Sequence, residues 1–272
     1  MKTLIIFTIL LFYQSVKAQV ETMKFKLDND GIFVEDLDSL NTDEDRYNLD
    51  NSIYTVKKKI YFDYYYLDTN NIKYLMTKDT SVNWALDMFE HKNPNSINKI
   101  IMTVCNGLSP FYPSLKDYNQ TVILYDYMMI GGGSWTIEAT GLIENSKNIW
   151  IHPPRTGLFK ILELNPFPYI KSVNEIGNKW EWKLSIGSKW SDKRWLEWTG
   201  NVLNKYNYEI TQKLNLETKI GNLVCYEIVG IAQSELGKTK LISYFNQEYG
   251  FIKLDYTNID KSKIIIEIDK IE

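Results

Sequence analysis

The sequence predicts a mainly β protein: a curved antiparallel sheet, forming a half-barrel or open barrel, with one or two short helices. Three observations lead to this. From residue 120 onward, apolar and polar residues alternate with a period of two, the signature of strands with one buried face. The gaps between the patterned segments are short enough for hairpins. The aromatic count is high, with 19 Tyr, 11 Phe and 8 Trp among 272 residues, and such side chains favour strands over helices.

The chain opens with Lys2, the apolar run Leu4 to Tyr13, and small residues at Val16 and Ala18. This is the layout of a secretory signal over residues 1–18, cleaved after Ala18 to leave Gln19 first. A run of about ten apolar residues cannot span roughly 30 Å of hydrocarbon. No cysteine follows the cleavage site and no later stretch is apolar for long enough to cross a membrane. The expected product is a soluble exported protein, periplasmic or secreted. Residues 19–52 are polar and acidic, from Asp28 to Asp50, and read as a lead-in without the ligand spacing of a calcium loop. Residues 53–272 are expected to form one β-rich domain.

Within it, Ile60, Phe62, Tyr64 and Tyr66 alternate with more polar neighbours and mark the first strand. Residues 80–91, with Val82, Leu86 and Phe89 at helical spacing behind Thr80 or Ser81, predict a helix. Gly107, Pro110 and Pro113 predict a loop over 106–119. Inward faces are then expected from Trp135, Ile137, Ala139 and Ile143; from Trp180, Trp182, Leu184 and Ile186; and from Tyr206, Tyr208, Ile210, Leu214 and Leu216. Residues 200–272 continue as an antiparallel meander through Val224, Tyr226 and Ile228, Leu241 and Phe245, Ile252, Leu254 and Tyr256, and Ile264, Ile266 and Ile268.

Several functions are excluded early. A formal charge of −3 and a pI near 5.6 leave no basic footprint for nucleic acid. Two cysteines and two distant histidines, His91 and His152, cannot make a zinc site, and no cofactor is implied. The stretch Ala232 to Thr239 loosely matches a phosphate loop but runs into strand residues where a helix N-terminus is required, so no nucleotide is expected. Ser134 follows three glycines without the second glycine of a nucleophile elbow, and neither histidine stands in a triad context. In an oxidising compartment, Cys105 and Cys225 are a candidate disulfide. The alternative is two buried free thiols.

Candidate binding residues come from two stretches. Trp150-Ile151-His152-Pro153-Pro154-Arg155 either sets His152 and Arg155 in a shared site, as proton donor and anion clamp, or is a rigid strand corner made by its prolines. Asn165-Pro166-Phe167-Pro168-Tyr169 is a second aromatic break, with Phe167 and Tyr169 as rim or edge cover. Seven of the eight tryptophans lie between residues 135 and 198. Of these, Trp190, Trp195 and Trp198 are candidates for a ligand platform, with Trp195 and Trp198 at its mouth.

The meander, above all Cys225 to Tyr256 with Tyr244-Phe245 and Tyr249-Gly250-Phe251-Ile252, resembles the open half-barrels of the periplasmic lipoprotein-localisation carriers and related exported proteins. That resemblance is architectural and covers roughly residues 120–272. It implies a concave apolar surface able to hold a lipid or other hydrophobic ligand, and it transfers no catalytic residue. The expectation is therefore an exported, non-enzymatic protein binding a hydrophobic ligand. A carbohydrate-binding or surface-assembly module using exposed Trp and Tyr is the alternative, and a hydrolase the third reading.

Overall fold

The computed structural model describes residues 51–79, 83–105, 121–144, 148–171 and 175–272, with the backbone of two short strands, β1 (Phe25–Leu27) and β2 (Phe33–Glu35). The expected signal peptide, nearly all of the acidic lead-in and the 106–119 loop lie outside the described residues.

Among the described residues, sixteen strands join in one antiparallel sheet. The N-terminal half supplies β3 (Lys59–Leu67), β4 (Lys73–Lys78), β5 (Trp84–Met88), β6 (Ile97–Val104), β7 (Thr121–Met129), β8 (Ser134–Glu144), β9 (Asn148–Ile151) and β10 (Tyr169–Lys171). The C-terminal half supplies β11 (Lys179–Gly187), β12 (Asn201–Thr218), β13 (Gly221–Ser234), β14 (Gly237–Asn246), β15 (Gly250–Thr257) and β16 (Lys263–Ile271). Strands β11 to β16 are a continuous meander, and β16 then pairs with β3, Ile266 opposite Tyr64, so that the two halves become one surface. From β11 through β16 to β3 and on from β6 to β10, the sheet curls into a nearly closed antiparallel barrel. Its two ends meet through rings: Tyr169 of β10 sits edge-on to Trp180 of β11, centroids 5.6 Å apart.

The period-two reading locates most of the interior. Ile60, Phe62 and Tyr64, Trp180 to Ile186 at alternate positions, Tyr206, Tyr208 and Ile210, and the apolar members of β14 to β16 named above are all buried. The hairpin turns fall at 235–236, 247–249 and 258–262, short connections as the sequence predicts.

Four expectations are corrected. Trp84–Met88 is a strand, not part of a helix over 80–91, because it pairs in full with β4, Lys78 opposite Trp84 and Tyr74 opposite Met88. Among the described residues of that stretch, Phe89–His91 makes a single 3-10 turn. In β8 the faces are reversed near its start: Ile137 is 55% exposed, while Glu138 takes hydrogen bonds from the partly buried Arg155 and Thr156. In β12 and β13 a bulge between Ile210 and Gln212 changes the register, which leaves Leu214 and Leu216 half-buried and Val224 exposed. Finally, Cys105 and Cys225 are free thiols. Cys225 lies in β13 and is buried, and Cys105 follows β6 and is half-buried. Burial pushes the Cys225 thiol up to about 11.

Candidate functional site

The concave face, where a ligand is expected, is occupied by the chain itself. Prolines 153 and 154 end β9, as their missing N–H groups require, and residues 152–168 then run through the barrel. Every residue from Ile161 to Ile170 is buried, as are Leu158 and Phe159. The 3-10 helix Gly157–Leu164 starts at Gly157, whose φ of +61° and close neighbours Met76, Trp84 and Trp135 leave no room for a Cβ.

This plug is bonded to many strands. Phe159 packs edge-on against Tyr64 at 4.8 Å and lies 5.7 Å from Tyr127. The Leu164 carbonyl accepts from Asn204 Nδ2 (3.0 Å) and Thr239 Oγ1 (2.8 Å). Asn165 Nδ2 donates to Asn258 Oδ1 at 2.9 Å, and Tyr208 donates to the Phe167 carbonyl at 3.0 Å. The space left between the plug prolines and Tyr54, Phe62, Met102, Tyr125 and Leu254 measures about 20 Å³, room for about one water.

The candidate residues of the plug are thereby placed. Phe167 and Tyr169 are each 1% exposed and pack inside, Phe167 against Trp182, Trp150 and His152. His152 is buried, with Nδ1 2.8 Å from the Pro153 carbonyl, to which it donates, and Nε2 3.5 Å from Glu163 Oε1. Burial, and then the positive charge of Arg155, hold its pKa well below the ordinary imidazole value. Arg155 turns elsewhere: its backbone N–H donates to Glu138 Oε1 at 2.9 Å, while its guanidinium donates to the Ala139 carbonyl at 3.3 Å and lies 5.5 Å from the Trp190 ring. The Thr156 hydroxyl donates to the other Glu138 oxygen. Burial raises the Glu138 pKa, partly offset by these donors. His152 and Arg155 thus form the corner, each engaged with a different acid.

Of the tryptophans, Trp190 is 8% exposed. Trp195 is half-buried and stacks on Trp84, ring planes 19° apart, with Arg194 3.9 Å from the Trp84 centroid. Trp198 is half-buried beside the same core.

A larger space lies on the outer face, where sequence reading places nothing. It measures about 420 Å³ and is bounded by β3, β4, β16, the Phe89 turn and the tip of the β12–β13 hairpin. Its apolar surface comes from Tyr65, Leu75, Phe89, Ile130 and Ile265. Ile265 points away from the lumen, between inward Ile264 and Ile266, yet is only 4% exposed. The hairpin arm explains this cover. Beyond Tyr226, β13 has no partner in β14, so the tip is an arm of two strands. Lys219 at the tip is bonded to Asp63 of β3 and, at 3.1 Å, to Asp269 of β16. Because β3 stands four places from β13 in the sheet, the arm must lie across the outer face to reach it.

Among the described residues, no group of three His, Cys, Asp or Glu side chains is placed to hold a metal, and no helix is long and apolar enough to cross a membrane.

No protein-family model matches the chain, and no curated protein matches it in sequence. Three solved structures are similar. A protein of YmcC-like fold from Bacteroides fragilis has a TM-score of 0.41 at 9% identity, covering 82% of this chain and 98% of its own. A protein from Parabacteroides distasonis has a TM-score of 0.38 at 9% identity, covering 80% and 96%. The hypothetical lipoprotein YmcC from Escherichia coli has a TM-score of 0.32 at 8% identity, covering 80% and 90%.

Proposed function

We propose that the protein is exported and non-catalytic, and that it holds a hydrophobic ligand in the cleft on the outer face of its barrel. The carrying observation is the contrast between an interior filled by residues 152–168 and an outer cleft of about 420 Å³ with an apolar lining, within the ~300–1,000 Å³ range of small-molecule sites. A carrier that held its ligand on the concave face would need the plug displaced, breaking the bonds at Leu164, Asn165 and Phe167. The outer cleft asks for no such rearrangement. Export rests on the residue 1–18 signal, and the mature N-terminus is Gln19.

The test is binding of a fluorescent fatty-acid probe to the mature protein. Ile130→Trp, which fills the cleft, abolishes binding, whereas Trp195→Ala, on the Trp84 stack, leaves it unchanged. Equal binding by Ile130→Trp and the parent, or no binding by the parent, overturns the cleft reading. Loss of binding in Trp195→Ala alone favours the second reading, a ring-binding surface built on Trp84, Trp195 and Trp198, for which the near-parallel Trp84–Trp195 pair is the supporting observation.

A further inference from the structure

The charges around the outer cleft are unequally satisfied. Its acids are all taken: Asp63 pairs with Lys99 at 2.7 Å and with Lys219, and Glu267 pairs with Lys253 at 3.4 Å. Asp269, just outside, pairs with Lys99 and Lys219. Hydrogen bonds from Lys99 hold the Asp269 carboxyl below the usual range, and those from Lys219 add to this. Its lysines are not all taken. Lys219 is committed to the two aspartates, but Lys73 and Lys92, both lining the cleft, have no carboxylate partner among the described residues. The Lys73 ammonium lies 4.4 Å from the Tyr65 ring centroid and 5.7 Å from that of Phe89, beside the apolar surface. Lys92 is held at the end of the Phe89–His91 turn in a left-handed conformation, φ 47°.

We infer that the cleft takes a single-chain amphiphile with an anionic head, carboxylate or phosphate, its alkyl chain against Leu75, Phe89, Ile130 and Ile265 and its head between Lys73 and Lys92. This rests on the cleft reading above and adds the head-group chemistry. An acyl chain buries apolar surface whatever its head. Only an anion also gains the two ammonium groups, whose hydrogen bonds to it are charge-assisted. A cationic head would meet Lys73 and Lys92 without a free acid to offset them. The seat is built of side chains from residues 63 to 267, brought together by the β16–β3 pairing and by the arm.

The experiment measures Kd by calorimetry for dodecanoate, dodecyl phosphate, dodecanol and dodecyltrimethylammonium, each below its aggregation concentration, on the mature protein and on Lys73→Met/Lys92→Met. On the mature protein the two anions bind about tenfold tighter than dodecanol, the scale expected from two partly exposed ion pairs, and the cation binds most weakly. The double variant loses that tenfold preference and retains dodecanol binding. The carboxylate-to-phosphate ratio then identifies which head the seat prefers. Equal binding of anion and alcohol by the mature protein, or an anion preference that survives in the double variant, overturns the head-group inference and leaves the hydrophobic-ligand reading standing. No binding of any of the four chains overturns both.

Discussion

The inside and the outside of this barrel carry apolar surface to opposite ends. Inside, Trp182 meets Trp150, Phe167 and Tyr206 with centroids 4.9 to 5.6 Å apart, and the plug carbonyls are bonded to the surrounding strands. Outside, Leu75, Phe89 and Ile265 line a space that the described chain leaves open, beside two lysines that have no carboxylate partner among the described residues. A packed interior holds side chains at crystal-like density, so its apolar residues stabilise the fold. The cleft leaves its lining without partners on one side among the described residues, and these are the residues the proposed ligand would contact. Aromatic richness alone therefore says little about binding here: most of the aromatic surface supports the fold, and the proposed binding surface is smaller and mixes aromatic Tyr65 and Phe89 with aliphatic Leu75, Ile130 and Ile265.

The comparison breaks first at the lumen. Trp182→Ala should cost roughly 3 to 5 kcal/mol in urea denaturation, because its ring joins the plug to β9 and β12. The still-folded fraction should bind the fatty-acid probe as the parent does. A loss of affinity in that folded fraction would mean that the ligand enters the lumen.

A smaller effect is expected from pH. His152 has a folded pKa well below its unfolded value of about 6.5, owing first to burial and then to Arg155. Above that value neither state is protonated and the group adds no pH dependence. As pH falls below it the unfolded chain takes up a proton that the folded imidazole refuses, so stability drops by up to about 1.4 kcal/mol per unit. Glu138 acts in the opposite sense: its folded pKa is raised by burial, so its contribution is fullest below its unfolded value and declines as pH rises. His152→Gln should flatten the decline between pH 6.5 and 5 in denaturation midpoints. An unchanged slope would show that His152 is not the buried neutral base.

The smallest effect belongs to the cleft wall. Phe89 is 36% exposed, and Phe89→Ala should change stability by under about 1 kcal/mol while weakening probe binding several-fold. A change in stability comparable to that of Trp182→Ala would place Phe89 in the core and remove the distinction between the two regions.

The faces of β3, β11, β14, β15 and β16 were legible in the sequence because each lies in a sheet with one covered side, where a period of two maps directly onto burial. The same logic misreads β8. Its start faces the plug, which offers the Arg155 N–H and the Thr156 hydroxyl, and Glu138 turns inward to accept them while Ile137 takes the solvent side. Residues 84–88 illustrate a different ambiguity: Leu86 and Phe89 fit helical spacing, but full pairing with β4 satisfies every rung of a strand and prevails. Glu163 carried a readable signal, an acid inside Ile161-Leu162-Glu163-Leu164, which announces a buried polar contact without naming its partner.

What the sequence determined by itself is local: the strand period, the short hairpin connections and the proline corner at 153–154. These depend on neighbours a few positions apart, and the chain carries that information directly. Whether the concave face is open or filled, and where apolar surface meets lysines without a carboxylate partner among the described residues, was decided only by the tertiary structure. Both depend on side chains from distant segments, such as Lys219 laid across β16 onto Asp63. The cleft exists because the β16–β3 pairing and the hairpin arm bring residues 63 to 267 around one space, and no spacing within a single segment records that.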